Sequence, residues 1–290
     1  MPHVFHVLDV FAERAYAGNQ LAVVLGSDDL STGQMQEIAR ETNFSETTFL
    51  PSSVPPDAAP VRIFTPAEEL PFAGHPTLGS AWLIRNLLEG GSVDEVVLEL
   101  GVGPVPVRFE PDADGEIGWL TAPRARFAET VPHDEIARLL GLSAADLDPA
   151  LPAQAVAAGH AALIVPLASR AALESCRPEA RSFAALADRG IAPYLYLFCR
   201  EPRSPDNDLA ARFFFDANGV REDPATGSAA GCLASYLLHH RAEPKLEHRM
   251  EQGIDMGRPS LIRLRGELVD EVPAVSIGGR VFHVAHGELL

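Results

Sequence analysis

Four side chains in this sequence stand where proton transfer would need them. His75 lies in "FAGHPTLG", Glu46 in "NFSETTFL", and Asp223 and Ser228 in "EDPATGSAAG". An imidazole exchanges protons near neutrality without any perturbation. A carboxylate in a partly apolar cleft has its pKa raised toward the same range. Such groups at one cleft would supply general acid–base chemistry.

Each residue also has a plain structural role open to it. His75 can cap the helix that follows, with Pro76 at the first helical position, where its missing N–H costs nothing. Ser228 and Asp223 can cap a second helix, Asp223 through a turn. Glu46 can be a strand-edge charge facing water, as most glutamates do. Spacing alone leaves both sets of roles open.

The elements that must position these groups follow from hydrophobic pattern. "HVFHVLDVF" reads as a strand, and "AYAGNQLAVVL" as a turn at Gly18-Asn19 followed by a second strand. "STGQMQEIARET" has helical spacing at Met35, Ile38 and Ala39, with Ser31 or Thr32 as cap. From Pro76 to Leu88 the chain is apolar on nearly every side, the pattern of a helix in an interior. "VDEVVLELGVGPVPVRFE" and "GEIGWLTAP" predict antiparallel strands, "HDEIARLLGL" a polar helix, and "AALIVPL" and "YLYLFCR" further strands. A second helix, small and apolar on most faces, follows "EDPATGS", and the tail alternates like strands. Short strands around two buried helices predict an α+β fold.

An internal repeat links the two helices. "VRIFTPAEELPFAGHPTLGSAWLI" and "ARFFFDANGVREDPATGSAAGCLASYLL" each run strand, polar loop, Pro-x-x-Gly and buried helix. Pro71 and Gly74 match Pro224 and Gly227, and His75 falls opposite Ser228. The repeat predicts two similar domains, each offering a helix N-terminus to a shared cleft. The first N–H groups of a helix lack an internal acceptor and carry partial positive charge. Glycine there lets a ligand approach the backbone closely. Two such termini can bind a carboxylate without any basic side chain.

Composition narrows the alternatives. The 290 residues are 47% hydrophobic, enough for a sizeable core, and the net charge is −17 without a basic run. That balance argues against nucleic acid or an anionic membrane as partner. No signal peptide or transmembrane run is expected. Three spaced cysteines, Cys176, Cys199 and Cys232, suit a reducing cytoplasm. Lys245 is the sole lysine, which sets Schiff-base and pyridoxal chemistry aside. "GVGPVPV" is not a dinucleotide loop, and "TGSAAG" lacks the nucleophile elbow. His239, His240 and His248 are read as solvated, so no metal site is expected, and His160, His283 and His286 show no ligand spacing.

"GNQLAVV", "NFSETTFL", "RIFTPAEELPFAGHPTLGSA" and "EDPATGSAAGCLASYL" together resemble the phenazine biosynthesis PhzF-like isomerases, over roughly residues 5 to 238. The resemblance implies a diaminopimelate epimerase-like fold, two pseudo-symmetric domains that are each a curved sheet around a central helix. We expect domains at 1–122 and 123–290, with the last strand packing back on the first. It further implies a cofactor-independent isomerase acting on a small carboxylic acid, with Glu46 moving the proton. His75, Asp223 and Ser228 match the remaining catalytic-type positions, and Gly74, Gly227 and Asn19 are expected to bind substrate. A homodimer is expected by the same likeness. The related racemases use two cysteines at these helix termini, whereas here Ala225 and Thr226 stand where a thiol would be wanted and Cys232 lies deeper in the helix. An epimerase or racemase without the two-thiol mechanism, and a non-catalytic binding protein on the same fold, are the alternatives.

Overall fold

Two stretches that are apolar on nearly every side both fold as helices enclosed by strands. The computed structural model describes residues 3–217, 219–240 and 244–290. The chain divides into two compact units, Met1–Thr121 with Gly278–Leu290, and Ala122–Ile277.

In the first unit the enclosed helix is Gly74–Leu83, with nine of its residues, from Gly74 to Ala81 and Leu83, buried. It packs on strands of two sheets. One contains His3–Val10, Asn19–Leu25, Glu46–Leu50, Arg62–Phe64, Glu69–Leu70 and Val281–Leu289, the last beside His3–Val10. The other is the antiparallel series Glu95–Leu100, Gly103–Asp112 and Gly115–Thr121, with Ala59–Pro60 parallel at its edge. Mid-helix Gly79 makes the close approach possible. A Cβ there would stand 2.5 Å from a Leu21 methyl and 2.9 Å from a Val10 methyl.

A second helix of this unit, Thr32–Thr42, covers the first sheet. Ser31 is its N-cap: the Ser31 Oγ accepts from the Gln34 N–H, and the Gln34 side chain accepts from the Ser31 N–H, so two orphan donors are satisfied. Met35 and Ala39 then point inward onto Val24, Phe49 and Phe64. The apolar run does not continue as one α-helix to Leu88. It turns π-helical at Ile84–Leu88, where Arg85 and Asn86 bind Glu116 and Leu87 and Leu88 are exposed. The interior ends at Ile84 because the next two residues are polar and take partners at its margin.

In the second unit the enclosed helix is Gly227–His239, buried from Ala229 to Leu238. Strands Ala153–Ala158, His160–Pro166, Lys245–Gln252 and Ser260–Val269 pack on it. Strand His160–Pro166 runs parallel to Tyr194–Cys199, which pairs antiparallel with Leu209–Asp216, so the sheet is mixed. A separate core lies among helices His133–Leu140, Arg170–Ser175 and Ala180–Asp188, around Ile136, Leu173, Phe183 and Leu197. The latter two helices carry no strong sequence signal. Among the described residues no helix is long and apolar enough to cross a membrane.

The histidines read as solvated are only partly so. His239 is exposed but stacks on Phe127 at 3.9 Å. His240 is half-buried with Nε2 2.8 Å from Gln154 Oε1, and His248 is half-buried with Nδ1 3.5 Å from Asp208. The Phe127 ring, the Gln154 amide and the Asp208 carboxyl group give these rings partners on neighbouring segments. Among the described residues no group of three or more His, Cys, Asp or Glu is gathered so as to hold a metal ion.

Candidate active site

Glu46, His75, Asn19 and Gly74 fall in the first unit, and Asp223, Gly227 and Ser228 in the second. Within the first unit, three of them form a chain of contacts. Asn19 Nδ2 is 3.3 Å from His75 Nδ1, and His75 Nε2 is 3.5 Å from Glu46 Oε2.

Local structure sets this chain up. Glu46 opens strand Glu46–Leu50, which runs parallel to Asn19–Leu25 with Glu46 beside Leu21. The next two residues, Thr47 and Thr48, are fully buried. Thr48 accepts a hydrogen bond from Ser80 of the enclosed helix at 3.0 Å, which fixes the strand against the helix that carries His75. Asn19 follows a loop whose exit needs Gly18 at φ 69°, since a Cβ there would sit 2.3 Å from the Val10 carbonyl. Asp9 fastens the same loop by accepting from the Tyr16 N–H at 2.6 Å, and Arg280 holds Glu13 at 3.1 Å.

At 3.5 Å the His75–Glu46 pair has the separation of an ion pair, but burial decides otherwise. The His75 side chain is 4% exposed and Glu46 is 15%. Burial pushes the His75 imidazole down to about 3, a backbone hydrogen bond with Gln20 opposing this only in part. The ring is therefore neutral at ordinary pH, and the contact joins a carboxyl group to a neutral dipole. His75 Nε2 makes no hydrogen bond among the described residues.

The helix mouth has no side-chain cap. Its N-cap is Ala73, extended at φ −150°, and His75 is the second helical residue rather than the cap. Pro76 is thus third, not first. Thr77 returns its N–H and hydroxyl to the Ala73 carbonyl, at 3.3 and 2.6 Å. The N–H groups of Gly74 and His75 have no acceptor within the helix, the arrangement that suits an anion.

The second mouth has the same plan. Gly227 is the first helical residue and Ser228 the second, half-buried, with uncapped Thr226 as N-cap. Asp223 ends strand Val220–Asp223, opposite Phe213, and is 7% exposed. Its Oδ2 accepts from the Thr226 hydroxyl at 2.5 Å. Asp223 thus reaches the N-cap residue of the helix. Sequence reasoning missed Gln252, which donates through Nε2 to the Asp223 carbonyl at 2.8 Å and to Thr226 Oγ1 at 3.1 Å.

The family model of phenazine biosynthesis-like proteins matches residues 8–287. The chain belongs to that family. Its relatives in the phenazine biosynthesis-like family include the trans-2,3-dihydro-3-hydroxyanthranilate isomerase of Pseudomonas aeruginosa, 35% identical over 98% of each chain. Among solved structures, a phenazine biosynthesis protein of Bacillus anthracis matches with TM-score 0.87 at 25% identity, covering 100% of this chain and 99% of that one. A "predicted epimerase" of Pseudomonas aeruginosa matches with TM-score 0.83 at 34% identity, covering 99% of both. The fold is the α+β, diaminopimelate epimerase-like one.

This member of the family has no reactive thiol at either mouth. Cys232, the sixth residue of its helix, is fully buried, donates through Sγ to the His160 carbonyl at 3.4 Å, and has its thiol pushed up to about 12 by burial. Burial likewise pushes Cys176 and Cys199 up to about 11. Such thiols are protonated and inert at neutral pH.

Proposed function

We propose that the chain is a cofactor-independent isomerase that moves a proton on a small carboxylic acid, in the manner of trans-2,3-dihydro-3-hydroxyanthranilate isomerase. Glu46 takes a proton from an activated carbon of the substrate and returns it elsewhere on the conjugated system, shifting the double bond. His75, Asp223 and Ser228 orient the substrate and relay protons. Backbone N–H groups at Gly74 and Gly227 hold its carboxylate, and Asn19 steadies His75.

One observation carries this reading: the Glu46 carboxyl group lies against a buried, neutral His75 at the mouth of an uncapped helix. A neutral imidazole, unlike an imidazolium, does not lower the proton affinity of a neighbouring carboxylate by its charge. Family membership supports the reaction class.

The test is incubation with trans-2,3-dihydro-3-hydroxyanthranilate in D₂O, followed by proton NMR. Turnover with deuterium at the newly saturated carbon, lost in Glu46→Gln, is the expected result. A Glu46→Gln enzyme that works at the wild-type rate would sink the assignment.

The likeness to the "predicted epimerase" favours a second reading, in which Glu46 and either His75 or Asp223 act as opposed bases on one carbon. Optical rotation separates the two. An epimerase changes the rotation of a chiral carboxylic acid without moving its double bonds.

A further inference from the structure

Gln252 ends strand Lys245–Gln252 and is 1% exposed, yet every polar atom of its side chain is engaged. Its Oε1 accepts from the Tyr196 hydroxyl at 3.0 Å and from the Thr226 N–H at 3.3 Å. Its Nε2 donates to the Asp223 carbonyl at 2.8 Å and to Thr226 Oγ1 at 3.1 Å. A backbone N–H only donates and a carbonyl only accepts, so these contacts fix which end of the amide is which.

The orientation then propagates. With Gln252 Nε2 donating to Thr226 Oγ1, the hydroxyl proton of Thr226 is directed to Asp223 Oδ2, 2.5 Å away. The strand turns sharply to stay close. Gly253 has φ 73°, and a Cβ on it would meet the Pro224 carbonyl at 2.5 Å and the Arg258 carbonyl at 2.4 Å. Tyr196, fully buried, holds the far side of the amide.

We propose that Gln252, acting through Thr226, is a positioning residue that holds the Asp223 carboxylate in one orientation and as a hydrogen-bond acceptor at the second helix mouth. The proposal rests on the reading in which Asp223 takes part in proton transfer. A glutamate at 252 could still accept from Tyr196 and the Thr226 N–H. It has no hydrogen for the Asp223 carbonyl or for Thr226 Oγ1, and it adds a second carboxylate beside Asp223. A glutamine is the side chain that satisfies all four contacts.

The experiment follows the Asp223 carboxyl carbon by NMR in protein labelled with ¹³C-carboxyl aspartate, its signal assigned by loss in Asp223→Asn. Thr226→Val keeps the shape and removes the hydroxyl. Losing a hydrogen bond to the charged form should raise the Asp223 midpoint by about one pH unit. Gln252→Glu should raise it too, and Thr226→Ser, which keeps the hydroxyl, should restore the wild-type midpoint. With trans-2,3-dihydro-3-hydroxyanthranilate as substrate, kcat should fall roughly tenfold in Thr226→Val and Gln252→Glu with little change in KM. If Gln252→Glu does not fold, Thr226→Val alone decides. Unchanged midpoint and kcat in Thr226→Val would overturn the proposal. Failure of the underlying reading looks different: Asp223→Asn would then turn over at the wild-type rate.

Discussion

His75 Nε2 faces Glu46 Oε2 across 3.5 Å, and the ring that faces the carboxyl group is buried and uncharged. The two residues lie on different elements of one unit, a strand start and a helix start, fastened together by the Ser80–Thr48 hydrogen bond. If Glu46 is the base, Glu46→Gln keeps the shape and removes the proton acceptor. Turnover should fall by about 10²- to 10⁴-fold, the range of general-base contributions. Initial rates beside a thermal melt separate this from unfolding, and a wild-type rate would remove Glu46 from the mechanism.

The neutral state of His75 has a consequence for acid stability. Its folded pKa, about 3, lies below the ordinary imidazole value of 6.5. Between those values the unfolded chain binds a proton that the folded chain refuses, so stability falls as pH is lowered. Above pH 6.5 both states are neutral and the group contributes no pH dependence. The slope from this group is at most about 1.4 kcal/mol per pH unit. His75→Asn should therefore narrow the loss of stability between pH 7 and pH 4 by up to about 3 kcal/mol. Urea melts of both proteins across that range provide the measurement, and parallel curves would contradict the assignment.

Cys232 should be dispensable for the chemistry. Its thiol is buried and pushed up to about 12, so Cys232→Ala should retain turnover while costing about 1 kcal/mol of stability. Iodoacetamide at neutral pH should leave the native enzyme active. Loss of turnover in a folded Cys232→Ala protein would revive a thiol mechanism.

Gly79→Ala sets two effects against each other. Alanine is the better helix former by about 1 kcal/mol. The added methyl would overlap Leu21 and Val10, both fully buried, and overpacking of this kind costs about 1–3 kcal/mol. Packing should win, giving a lower melting temperature. A stabilised variant would show that the helix can move away from its sheet.

Much of the architecture was legible because its signals are local. Ser31 followed by Gln34 marks a helix start, and both enclosed helices show as apolar runs after a Pro-x-x-Gly. Pro71, Gly74 and His75 take the same places at their helix as Pro224, Gly227 and Ser228 do at theirs. The end of the first apolar run was less legible, because Arg85 and Asn86 take partners from a strand some thirty residues away. Gln252 carried no signal at all. Its partners Thr226, Asp223 and Tyr196 lie 26, 29 and 56 positions away, and nothing in "MEQGID" indicates them.

The sequence by itself determined the chemical inventory, the two helix mouths and the family. Those depend on residue identity and short-range spacing, which the chain carries before it folds. Only the tertiary structure decided that His75 is neutral, because desolvation requires strands from distant segments to close around the ring. It likewise decided which way the Thr226 hydroxyl points, because a hydrogen-bond direction is set by partners that strand pairing brings together.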